Sequence, residues 1–145
     1  MPIYKKALEH YGVADQIEMF IEECTELISD IQRHKRGRLL GEGLAEETAD
    51  VVVVMRQLVN VRPLAWNHIK RPETLDQVRG YLFKAAEGVA EGGVDALGQS
   101  IAYAFQAALY LIKFAGEENV ESWIKTKTTR LERRMAEERS ARKCG

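Results

Sequence analysis

The chain has 145 residues, of which 46% are hydrophobic and 30% charged, with a formal net charge of −1. That length buries one real core and leaves little room for two, and the composition is that of a folded chain rather than a disordered one. The near-neutral total supplies no whole-protein field for nucleic acid or an acidic surface.

Apolar periodicity is helical throughout, which predicts an all-α fold in a single domain over 1–145. The first helix is expected over Ile3–Tyr11, ended by Gly12, in an N-terminal stretch without the apolar run of a secretory signal. A second runs from about Ala14 to His34, with Ile17, Phe20, Ile21, Cys24, Leu27, Ile28 and Ile31 on one stripe. A basic loop with glycines follows, Arg33 to Arg38. The third helix spans about Leu44 to Val61 and stops ahead of Pro63. Residues 64–116 read as a helical insert of two helices. One starts near Pro72 and ends at Gly92 and Gly93; the other covers Ala96–Ala115. The latter is apolar on nearly all faces, so it is central or part of a subunit contact. Its apolar run, broken by Gln106 and Lys113, is too short to span a bilayer. The last helix runs from Glu117 to about Arg139, with a frayed tail. Cys24 and Cys144 stand far apart in no metal-ligand spacing, which fits a reducing cytoplasm.

Charge is unevenly placed. Residues 15–30 carry six acids and no base, whereas residues 125–143 carry eight bases against three acids. On the second helix Glu22, Glu23 and Glu26 fall roughly opposite the apolar stripe, where a solvated face would also put them. On the third, Glu47 and Asp50 fall on the apolar stripe with Val51, Val54, Leu58 and Val61. An i, i+3 spacing sets two side chains on one face, so two such pairs on facing helices offer four carboxylates to one point. Oxygen donors so arranged suit Mg²⁺ or Mn²⁺. A buried Arg or Lys is the alternative compensator for carboxylates in an apolar stripe.

The last helix carries the opposite anomaly. Lys127, Arg130 and Arg134 lie on or beside its stripe of Val120, Trp123, Ile124, Leu131 and Met135. Cations facing inward there, with acids facing inward elsewhere, fit a site for both metal and phosphate. Lys35 and Arg38 of the basic loop are further phosphate-contact candidates; bases at a helix end also complement its dipole.

The strings Glu22-Glu23-Cys24-Thr25-Glu26 and Glu47-Thr48-Ala49-Asp50 resemble the EExxE…ExxD signature of the MazG-like all-α nucleoside triphosphate pyrophosphohydrolases. The likeness covers about residues 4–62 and resumes over 120–135. It implies a helical bundle of that type and Mg²⁺- or Mn²⁺-dependent cleavage of a nucleoside triphosphate to its monophosphate and pyrophosphate. It further implies Glu23, Glu26, Glu47 and Asp50 as metal ligands, and Glu22 as a residue that either supports those ligands from behind or orients the attacking water. Lys127 and Arg130 match phosphate-contacting bases, and a homodimer or higher oligomer is expected. The segment 64–116 is long for the family, and Trp66, Asn67 and His68 within it are candidates for base contacts. Competing expectations are a non-catalytic helical module that binds nucleotide or protein and an enzyme of the phosphoribosyl-ATP pyrophosphohydrolase kind. Neither nucleic acid nor membrane is an expected partner.

Overall fold

A computed structural model describes residues 2–37, 41–63, 65 and 69–144, with backbone alone at 41 and 42. Among them every regular element is helical: α1 (Ile3–Tyr11), α2 (Val13–Lys35), α3 (Gly41–Leu58), α4 (Leu75–Gly92), a 3-10 turn (Gly93–Ala96), α5 (Leu97–Ala115) and α6 (Glu117–Cys144). Arg38, Trp66, Asn67 and His68 lie outside the described residues.

Gly12 separates α1 from α2. Its φ of 90° is one that side-chain-bearing residues rarely adopt, and its N–H still closes on the Leu8 carbonyl at 2.9 Å. Gly116, at φ 99°, does the same between α5 and α6. The start of α4 differs from the expectation at Pro72. Thr74 caps the helix, its hydroxyl accepting from the Gln77 N–H at 3.2 Å. The Gln77 side chain in turn accepts from the Glu73 N–H at 2.6 Å. Helix α3 begins at Gly41 and ends at Leu58, earlier than expected at both ends, because residues 59–61 tighten into a turn. Helix α6 runs past Arg139 to Cys144. Buried Met135, and Glu138 bonded to His10 and Tyr11 of α1, hold the helix against the body up to that point, and residues 139–144 are exposed.

Helices α2, α3, α5 and α4 pack in a ring, each on the next, as a four-helix bundle. Lys35 at the end of α2 meets Asp76 at the start of α4, and His34 packs edge-on against Phe114 at the end of α5. After α3, the Ala65 N–H donates to the carbonyl of Gly98 at the start of α5. The helices of the expected insert are therefore half of the bundle: Val78, Leu82, Ala85 and Val89 of α4 and Ile101, Ala104, Ala107 and Leu111 of α5 share one core with Phe20, Leu27, Ile31 and Leu58.

Helices α1 and α6 lie outside the ring, both against α3. This surrounds α3, so Leu44, Ala45, Thr48, Ala49, Val51, Val52, Val54, Met55, Gln57 and Leu58 are all buried. On the face opposite the apolar stripe Ala49 is buried, whereas Arg56 and Asn60 are exposed. No described helix is long and apolar enough to cross a membrane. Cys24 and Cys144 are both free thiols, the first buried and the second exposed.

Candidate metal and phosphate site

Helices α2, α3 and α6 enclose a cleft of about 360 Å³. Its upper wall is set by Glu23 of α2, Asp50 of α3 and Lys127 of α6. The helical spacing of each element puts these residues on the face that lines the cleft, which for α2 is a side that its own apolar stripe does not mark as buried. Glu23, Glu26 and Glu47 each bring a carboxylate oxygen within 4.8 Å of the others. Like charges at that separation repel strongly where water is scarce.

The carboxyls record that strain. Glu23 is pushed up to about 8, first by burial and then by the charges of Asp50, Glu26, Glu47 and Glu22. Glu47 is pushed up to about 7 by burial, Asp50, Asp30 and Glu26, against an opposing pull from Lys127. Two of the oxygens, Oε2 of Glu23 and Oε2 of Glu47, are buried without a hydrogen-bond partner. A buried acceptor left unpaired is costly, so these atoms mark where a donor or cation belongs. Hard oxygen donors on two facing helices fit a Mg²⁺- or Mn²⁺-sized ion.

Asp50 is engaged differently. Its Oδ1 lies 2.7 Å from Lys127 Nζ, which is also 3.5 Å from Glu46 Oε1. Burial raises the Asp50 carboxyl, and the Lys127 hydrogen bond and charge oppose it. For Lys127 burial acts to lower the ammonium, but the hydrogen bond to Asp50 and the charges of Asp50 and Glu46 outweigh it and leave it raised. The ammonium also sits 5.7 Å from the Trp123 ring centroid, a cation–π contact. Of the two compensators allowed by the sequence, the structure shows the lysine, on Asp50; Glu23 and Glu47 beside it each keep a buried oxygen without a partner.

The other expected site residues divide in two. Arg130 and Arg134 line the cleft below Lys127. Both are exposed, and Arg134 also acts on Tyr11 and Glu138 at the same end of the cleft. Glu22 is exposed and acts on the group through its charge on Glu23. Lys35 does not line this cleft; it is paired with Asp76 on the α2–α4 side of the bundle.

Several residues in or beside the cleft carry no signal of their own in the sequence. Asp30 is 6% exposed and bonded to Arg33 at 2.8 Å. Its carboxyl is raised by burial, lowered by Arg33, and raised again by Glu26 and Glu46. It stands four residues after Glu26 and seven after Glu23, on the same helical face. Gln16 and Gln57 lie deep in the cleft, and Tyr11 and Glu138 close its lower end. No family model, no curated protein and no solved structure matches this chain.

Proposed function

We propose that the chain is a divalent-metal-dependent hydrolase that splits a nucleoside triphosphate at the α–β phosphoanhydride, releasing monophosphate and pyrophosphate. The observation that carries this reading is the pair of buried, unpartnered carboxylate oxygens on the neighbouring Glu23 and Glu47, Glu23 itself lining a cleft whose α6 wall is cationic. The resemblance of the EExxE and ExxD strings to MazG-like pyrophosphohydrolases supports it and supplies the word nucleoside.

Glu23, Glu26 and Glu47 would hold the ion. Bound there, it would offset phosphate charge and make a water a competent nucleophile at neutral pH. The protein's own groups do the rest. Arg130 and Arg134 present planar donors that fit phosphate oxygens in pairs. Lys127, positioned by Asp50 and Trp123, places a point charge beside the carboxylates, where charge develops on the leaving pyrophosphate. A polyphosphate that competes for Lys127 frees Asp50 to serve as a fourth oxygen donor. Glu22, exposed next to Glu23, is the candidate to orient the attacking water. The bundle and the likeness also support a homo-oligomer. An apolar hollow between α3 and α5, walled by Val52, Met55, Val59, Leu109 and Ile112, offers a surface for it.

The test is pyrophosphate release across common and damaged nucleoside triphosphates with Mg²⁺ or Mn²⁺. At least one should be cleaved, with activity abolished by chelator and restored by metal. Release from none of them, in protein shown to be folded, would make the reading wrong.

A further inference from the structure

Below the carboxylates the cleft changes character. Val53, Val54, Met19 and Leu131 form its walls, and two amides, Gln16 and Gln57, reach into it from facing helices. Both are buried, at 5% and 3% exposure. The Gln57 Oε1 has no hydrogen-bond partner. Buried glutamine amides in an apolar setting are costly unless satisfied, and a binding pocket pairs apolar walls with a few placed polar groups in just this proportion.

The spacing adds a second, independent argument. Gln16 lies seven residues before Glu23 on α2, and Gln57 seven after Asp50 on α3. Seven residues are two turns, so each amide shares a helical face with its carboxylate, about 10 Å along the axis. The two helices run antiparallel, so both amides fall at one level, on the same side of the acidic group. A ligand with phosphate at the carboxylates and a sugar next to it brings its nucleobase to that level.

We infer that the Gln57 amide, with Gln16 opposite, reads the edge of the substrate's nucleobase and sets base preference. The inference rests on the cleft being a nucleotide site. An amide offers an acceptor and donors side by side, which matches the donor–acceptor edge of a base and can be left unpaired by the wrong one. The aliphatic side chains of the cleft contact the base faces without choosing among them.

Calorimetry on the full chain with Mg²⁺ tests it apart from catalysis, using the five common deoxynucleoside monophosphates and ribose 5-phosphate. Wild-type protein should bind one base at least about tenfold tighter than ribose 5-phosphate. Gln57→Leu should bring that monophosphate down to the affinity of ribose 5-phosphate, whose own binding stays unchanged. Gln57→Glu keeps an acceptor and loses the amide donors, so it should change which base is preferred. The inference is overturned if Gln57→Leu keeps the preference, if the wild type prefers no base, or if both variants weaken every ligand equally, ribose 5-phosphate included. The pyrophosphate-release assay judges the hydrolase reading separately: cleavage with unaltered base preference in Gln57→Leu sinks only this inference.

Discussion

The two hairpins of the bundle are built alike and filled differently. In the α4–α5 pair the inward positions are Val78, Leu82, Ala85, Val89, Leu97, Ile101, Ala104, Ala107, Ala108 and Leu111, and the buried polar side chain there is Ser100. In the α2–α3 pair, Gln16, Asp30, Thr48 and Gln57 are buried alongside the apolar residues. Glu23, Glu47, Thr48 and Gln57 each leave an oxygen without a partner. One hairpin is settled by packing alone. The other carries a desolvation cost that a ligand, or a proton at the carboxyls, would relieve, and such local departures from good packing are where function is expected.

The largest expected effect separates the two by activity. Glu47→Gln removes one oxygen charge from the candidate metal group and should lower kcat/KM for the cleaved triphosphate by about 100-fold or more. It should also leave the metal-free protein as stable as the wild type or more so, since a repelling carboxylate is gone. Leu82→Ala, in the apolar hairpin, should do the reverse: a loss of about 2–5 kcal/mol in denaturant unfolding, with kcat preserved in the fraction that remains folded. A stability loss in Glu47→Gln with activity kept would erase the contrast.

How far this contrast could be read from the chain differs by residue. Helix α1 occupies its expected span, because Gly12 is a local signal. Glu47 and Asp50 were visible as acids in an apolar stripe, and the surroundings of α3 bear that placement out. Glu23 and Asp30 were not visible as inward residues. Helical periodicity marks the face of α2 that meets the bundle, but not the side that lines the cleft, whose far wall, α6, arrives from about a hundred residues away. Helix α6 exceeds its expected end by residues 140–144, which are exposed and so leave no apolar pattern to read. Gln16 and Gln57 look like ordinary polar residues until their seven-residue offsets from Glu23 and Asp50 are set side by side.

A smaller effect tests the stored cost directly. Without metal, Glu23 and Glu47 titrate near 8 and 7 in the folded chain, against an ordinary value of 4.5. The folded state therefore holds more protons than the unfolded one between those limits. Stability contributed by the two neutral carboxyls is full below about 4.5 and is lost as pH rises through 7 and 8. In chelator, the melting temperature should fall across this window. The fall should flatten in Glu23→Gln/Glu47→Gln, and also in wild-type protein with Mg²⁺, because metal favours the charged form. A melting temperature in chelator that rises across the window, equally in wild type and double variant, would mean that these carboxyls are not strained.

The smallest effect belongs to the quiet hairpin. Thr74→Ala removes the hydroxyl that accepts from the Gln77 N–H at the start of α4, a loss of about 1 kcal/mol. Thr74 is exposed and far from the carboxylates along the chain, and the Gln77 side-chain bond to Glu73 remains to hold part of the cap. Melting should drop by a few degrees, while kcat, KM and metal affinity stay at wild-type values. Asp76, three residues before Arg79 and paired with Lys35, gives the one described ion pair that joins α4 to α2 near this cap. If loosening the cap changed metal affinity, strain would be passing through that junction, and the two hairpins would have to be treated as one coupled unit rather than as a packed scaffold and a site.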